Sequence, residues 1–142
     1  MEGCPLSGDD VKAIHQLYME GKCCASIMVQ MGLSRRGEEN AQMVSAVAVL
    51  CNGLYSGLLC GALSGAACML ALFGDNPAES AEMARELVEW FQSVYGERYG
   101  SADCADITGN DPQVKRERCP ALMEATYLQA RQILADYGKI AD

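Results

Sequence analysis

Residues 50–72 read LCNGLYSGLLCGALSGAACMLAL, and the folding of this stretch decides how the rest of the chain is arranged. It carries Cys51, Cys60 and Cys68, and glycines at Gly53, Gly57, Gly61 and Gly65. No charged residue occurs from Ala41 through Phe73. A membrane span needs about 20 continuous apolar residues. Here Gln42, Ser45, Asn52, Ser56, Ser64 and the glycines interrupt the run. Two buried helices with a glycine-rich break between them fit better than a span. Asn52 to Gly57 is too rich in glycine to hold a helix by propensity. Helix resumes from Cys60 to Phe73, where Gly61, Ala62, Gly65, Ala66 and Ala67 leave room for another helix backbone.

Outward from this segment the apolar spacing is helical nearly throughout. Val11, Ile14, Leu17 and Tyr18 recur at helical intervals, predicting a helix over Asp9 to Glu20 that stops at Gly21. A second runs from Cys23 to Met31 and is expected to stop at Gly32; a third runs from Glu38 to about Cys51. After the break at Gly74-Asp75-Asn76-Pro77, Asn76 caps a fifth helix, with Pro77 at its first position and Glu79 completing a capping box. Ser101 to Asp111 is irregular with one helical turn, and Gln113 to Arg118 reads as a charged loop. Cys119-Pro120 is then expected to open the last helix, which Gly138 ends. No strand alternates and no repeat appears. The expectation is an all-α fold: residues 1–8 a flexible tail, residues 9–142 one compact domain of about six helices around the Gly/Cys-rich segment.

The chain has 142 residues, and half are apolar, which suits one domain with its own core. Its net charge is −8. That argues against a nucleic-acid partner and against an anionic membrane surface. Residues 1–71 hold six of the nineteen acidic side chains, so the second half forms the acidic, solvated face. The first ten residues, polar and acidic, do not resemble a signal peptide, and a cytoplasmic location is expected. Thiols there stay reduced unless they bind metal or do redox work.

Eight cysteines are many for such a chain, yet no Cys-x-x-Cys occurs, so neither a thioredoxin motif nor a zinc ribbon is present. Position says more than spacing. Cys24, Cys60, Cys104 and Cys119 all fall at expected helix starts, where the positive end of the helix favours a thiolate. Lys115, Arg116 and Arg118 should add to this at Cys119, whereas Asp103 and Asp106 should oppose it at Cys104. The bland alternative is that buried cysteines are small hydrophobes, and Cys68 within Ala-Ala-Cys-Met-Leu is read that way. Cys51 stays open, Cys23 is taken as a bystander of Cys24, and Cys4 is incidental. The single histidine, His15, reads as a surface or packed residue, and the eight methionines as core filler. Glu79, Glu82, Glu86 and Glu89 form a solvated helix face. Tyr55, with Gly57, Gly61 and Gly65, is the candidate cofactor-facing set around Cys60, Tyr55 by donating to a sulfur or ligand.

The cysteine layout resembles the family named for its C_GCAxxG_C_C pattern, over about residues 9 to 138. Gly21-Lys22-Cys23-Cys24-Ala25-Ser26 is similar to its first block, and Leu59-Cys60-Gly61-Ala62-Leu63-Ser64-Gly65 to its central one. The central block departs from the literal pattern, with leucine before the cysteine and glycine after it. Asp103-Cys104-Ala105-Asp106-Ile107-Thr108-Gly109 resembles the third block and Arg118-Cys119-Pro120 the fourth. The resemblance implies that Cys24, Cys60, Cys104 and Cys119 are the functional set of a redox-active protein, an oxidoreductase or electron carrier. They would act as exchanging thiols or as ligands of an iron–sulfur cluster or another thiolate-bound metal, served by an unidentified redox partner. A homo-oligomer is compatible with this. The alternative is a non-catalytic helical module with core cysteines and a small-ligand pocket.

Overall fold

The computed structural model describes residues 8–141. The expected tail therefore lies outside the described residues, except Gly8, which opens the first helix. Seven helices run through the described residues: α1 Gly8–Met19, α2 Cys24–Arg35, α3 Ala41–Val47, α4 Gly61–Ala71, α5 Pro77–Phe91, α6 Cys104–Thr108 and α7 Pro112–Asp136. α5 continues through a wide π-type turn, Gln92–Gly96, to Glu97–Tyr99. The six expected helices are present, and the expected single turn near Cys104 is the short α6. No described helix is long and apolar enough to cross a membrane.

The core is built on α2 and α4, the most extensively packed pair. α2 buries Ala25, Ile27, Met28, Val29, Met31 and Leu33, so it is enclosed on nearly every side. α4 buries Ala62, Leu63, Ala66, Met69 and Leu70. Small residues set their spacing. A Cβ on Gly65 would lie 2.5 Å from the Ala25 Cα, and one on Gly32 would lie 2.7 Å from the Met69 Cγ. The order of these contacts means that the two helices run in the same direction. Their first residues, Cys24 and Gly61, consequently share one end of the bundle. Around the pair, α5 contributes Met83, Leu87 and Phe91, and α7 contributes Leu122, Met123, Tyr127, Ile133 and Leu134. Arg131 of α7 reaches Asp10 of α1 at 3.1 Å, tying the two helices together.

Local signals account for several boundaries. The Asn76 side chain accepts from the Glu79 N–H at 2.9 Å, as the capping box required, while Glu79 Oε1 accepts at 2.8 Å from the N–H of Asp75, one residue before the cap, rather than from Asn76. Three helices depart from their expected bounds. Gly32 does not stop α2, which runs on to Arg35, because close packing on Met69 outweighs the glycine's helix cost. The last helix begins at Pro112, not at Pro120. Asp111 caps it, accepting from the Gln113 N–H at 2.8 Å, and Pro112 sits in its first turn. Pro120 is thus inside α7, and Gln113 to Arg118 is helix rather than loop. The third helix is also shorter than expected: Asn40 caps it, and a 3₁₀ turn over Ala48–Leu50 carries the chain to Cys51.

Candidate functional site

The break after Cys51 is a left-handed loop. Asn52, Gly53, Leu54, Tyr55 and Gly57 all have φ between 55° and 74°. Side chains meet steric strain in that region, so neighbouring structure must hold Leu54 and Tyr55 there. On one flank, Gly57 lies against α6: a Cβ there would come within 3.0 Å of the Ala105 Cβ. Beyond it, Leu58 and Leu59 form a single antiparallel bridge with the chain before α6. Leu58 O accepts from the Cys104 N–H at 2.7 Å, and the Cys60 N–H donates to Ala102 O at 3.0 Å. This pairing brings Cys60, the residue capping α4, beside Cys104, the first residue of α6.

The parallel α2/α4 packing adds Cys24. A Cβ on Gly61 would lie 2.7 Å from the Cys24 sulfur, so only glycine leaves space for that thiol. Cys119 enters from α7. The four thiols are close enough that a charge on one disfavours a charge on the others, in all six pairings. The four cysteines picked out in the sequence are therefore gathered at one end of the bundle.

At Cys24, Cys60 and Cys119 burial works against the expected activation as thiolates. Burial pushes the Cys24 thiol up to about 11, with repulsion from Cys119 adding to it. Burial likewise raises Cys60 to about 12 and Cys119 to about 11. The backbone N–H groups of Ala62 and Leu63 work in the opposite direction at Cys60, as the helix-start argument required, but desolvation outweighs them. Cys119 lies mid-helix and lacks even that help. Of the three cations preceding it, only Lys115 faces the thiols and lowers Cys119. Arg116 instead donates to Gln113 Oε1, and Arg118 donates to Ile107 O while lying over the Tyr99 ring.

A disulfide that sequence reasoning missed borders this cluster. Cys23 is bonded to Cys51, 28 residues away, with the Cα atoms 6.1 Å apart. Cys23 is thus no bystander. Its adjacency to Cys24 draws attention to a vicinal pair, and nothing in the local sequence marks Cys51 as its partner. The Cys23 sulfur lies 3.6 Å from Ser26 Oγ and 3.9 Å from Ala48 O. Cys51 is 1 % exposed, whereas Cys23 is half-buried. Cys23 lines two cavities, and Cys51 only the smaller, called inner here. The inner one, about 170 Å³, is lined by Cys23, Cys51, Cys24, Cys119, Asn52 and Lys115, among others. The outer one, about 400 Å³, is lined by Cys23, Ser26, Val44, Ser45, Ala48 and Tyr55.

The remaining candidates fall in other places. Tyr55 is 65 % exposed on the outer cavity, and its hydroxyl makes no hydrogen bond among the described residues, so it does not donate to a sulfur. Gly61 and Gly65 serve the α2/α4 contact, and Gly57 the contact with α6. Cys68 packs beside Val29, Leu33 and Val44. His15 is exposed. Cys4 lies outside the described residues. Among the described residues no three His, Cys, Asp or Glu side chains converge in a way that could hold a metal ion. The expected thiolate-bound metal or iron–sulfur cluster thus finds no ready ligand cage in this arrangement.

A sequence model of the family described as "Putative redox-active protein (C_GCAxxG_C_C)" matches residues 22–133. That span contains both disulfide cysteines and all four clustered thiols. No curated protein and no solved structure matches the chain.

Proposed function

We propose, from the premise that the chain belongs to the C_GCAxxG_C_C family, that it carries out thiol–disulfide redox chemistry through the Cys23–Cys51 pair. One observation carries the reading: that disulfide lines the same 170 Å³ cavity as the free thiols Cys24 and Cys119. Disulfide exchange proceeds by thiolate attack on a disulfide sulfur, and it requires such proximity. Cys23 also lines the outer cavity, so it is the sulfur that an external thiolate would attack, and buried Cys51 is the leaving sulfur.

The reaction takes two electrons from an external dithiol. A thiolate of that dithiol attacks the Cys23 sulfur, the Cys23–Cys51 bond breaks, and a mixed disulfide forms at Cys23. The second thiol of the donor then attacks the mixed disulfide, leaving the donor as a disulfide. Its protons end on Cys23 and Cys51, now both thiols. In the reduced state the Cys23 thiol would have Ser26 Oγ and Ala48 O as neighbours. Cys24 and Cys119, kept neutral by burial, are the thiols to which the disulfide can pass inward once either is deprotonated. A cytoplasmic setting agrees with this role, because reductants there open a disulfide that is not a redox couple with a function.

The test is to equilibrate the anaerobically purified protein with dithiol buffers across about −180 to −320 mV, then to alkylate it and map the modified cysteines by mass. A reversible two-electron transition assigned to Cys23 and Cys51 is expected. Stoichiometric iron and sulfide with a visible chromophore would replace this reading with a metal centre. A disulfide that never opens in the folded protein, with native thiols that resist alkylation, would leave a non-catalytic helical module.

A further inference from the structure

We infer that Lys115 is the positioning residue of this redox pair, held by Asn52 so that its ammonium faces the thiolate released from Cys51. The inference rests on the thiol–disulfide reading above. Lys115 Nζ donates to Asn52 Oδ1 at 2.8 Å, across 63 residues of chain. Asn52 directly follows Cys51 and opens the left-handed loop, with φ 55°. One residue is thereby joined to the disulfide through the chain and to Lys115 through its side chain.

Lys115 lines the inner cavity together with Cys51, Cys24 and Cys119. Lys22 is the other cation on that lining, and no carboxylate is on it. Lys115 makes no ion pair among the described residues, although the chain carries an excess of eight negative charges. An unpaired ammonium kept in a cysteine-lined cavity lacks a structural partner of opposite charge. It acquires one when the disulfide opens. In that step an external dithiol's thiolate bonds to Cys23, the Cys23–Cys51 bond breaks, and its electron pair goes to Cys51 as a thiolate. A thiolate in a site 1 % exposed needs a neighbouring cation, since water cannot stabilise it there. The donor's second thiol then gives its proton to Cys51 and attacks the mixed disulfide as a thiolate; the donor leaves as a disulfide, and Cys23, released as a thiolate, takes a proton from solvent.

The experiment compares wild type with Lys115→Met, Lys115→Arg and Asn52→Asp, the last retaining a residue that tolerates a left-handed backbone while placing a carboxylate on the ammonium. Rates of reduction by dithiothreitol and equilibrium potentials are measured for the Cys23–Cys51 pair. Lys115→Met and Asn52→Asp should slow reduction about tenfold, while the potential of the pair stays as in wild type, because the reduced product holds both cysteines as neutral thiols. Lys115→Arg should stay within about threefold of wild type, because the cation is kept. Equal rates in wild type, Lys115→Met and Asn52→Asp would overturn the inference while leaving the redox pair in place. A wild-type disulfide that no dithiol reduces would instead remove the underlying reading. Should Lys115→Met fail to fold, the contrast between Lys115→Arg and Asn52→Asp decides the question.

Discussion

The sulfur of Cys24 occupies the space that a side chain on Gly61 would fill: a Cβ there would stand 2.7 Å from that sulfur and 3.1 Å from the Cys51 Cα. One glycine hydrogen therefore lets a free thiol and a disulfide cysteine approach the start of the same helix. Gly61→Ala should move Cys24 out of its buried position and cost about 1–3 kcal/mol as an overpacked core site. Alkylation of native Cys24 followed by peptide mapping should become faster, and the urea midpoint should fall. Unchanged Cys24 reactivity would mean that the thiol has another place to go at no cost.

Gly65→Ala is the sharper packing test. The added methyl would meet Ala25 backbone, with the Cα at 2.5 Å and the carbonyl oxygen at 2.8 Å. Backbone of a buried helix cannot rotate aside as a thiol can, so α2 and α4 must separate. A loss of about 1–3 kcal/mol is expected in urea unfolding. Gly109→Ala makes a useful contrast: it has open space around it but φ of 65°, so any cost there comes from backbone strain alone.

Stability should fall in alkali because of the clustered thiols. The folded protein holds Cys24 near 11 and Cys60 near 12, against an ordinary value of 9.0. Both thiols are raised in the folded state, so their contribution is fully present below about pH 9, where the unfolded chain also keeps them protonated. It is lost as pH climbs through 11 to 12, on the order of 1.4 kcal/mol for each pH unit that separates a thiol's folded and unfolded values. Urea midpoints from pH 8 to 11 should decline in wild type and decline less in Cys60→Ala. Parallel curves for the two proteins would show that Cys60 does not carry this linkage.

Removing the disulfide should destabilise the fold through the unfolded chain. Cys23 and Cys51 close a loop with a sequence separation of 28. Loop-closure entropy for that length gives roughly 3–4 kcal/mol. Cys23→Ala/Cys51→Ala should therefore unfold at lower urea than oxidised wild type, and addition of dithiothreitol should shift only the wild type. If both proteins have the same midpoint without reductant, the bond contributes no net stability.

Pro120 offers a test of the corrected helix start. Within α7 it removes one backbone hydrogen bond to the preceding turn. Pro120→Ala should raise the thermal midpoint, because alanine restores the donor and suits a helix interior. A fall would mean that the proline ring's packing outweighs the missing bond.

Much of this molecule follows from local sequence. Helical spacing, the Asn76-Pro77-Glu79 cap, the glycine-rich break and the restart of helix at Cys60 are each set by a few neighbouring residues, and the structure keeps all of them. The pattern of their blocks singles out Cys24, Cys60, Cys104 and Cys119 in the sequence, but not that they share one end of the bundle. What local sequence does not supply is anything governed by distant partners. The Cys23–Cys51 bond depends on a loop closing across 28 residues, and the place of Cys104 depends on its amide pairing with Leu58. The start of α7, by contrast, is marked locally: Asp111 before Pro112 is a capping side chain, which Cys119 before Pro120 is not. The protonation of the thiols, like the disulfide, escapes a sequence reading. Helix-end electrostatics can be seen in a sequence, but desolvation is a property of everything packed around the sulfur, and at Cys24 and Cys60 it is the larger effect. The central Gly/Cys segment thus specifies by itself where a helix breaks and restarts. Only tertiary packing decides that its Cys51 bonds to Cys23, that its Cys60 meets Cys24, Cys104 and Cys119, and that its Cys68 meets none of them.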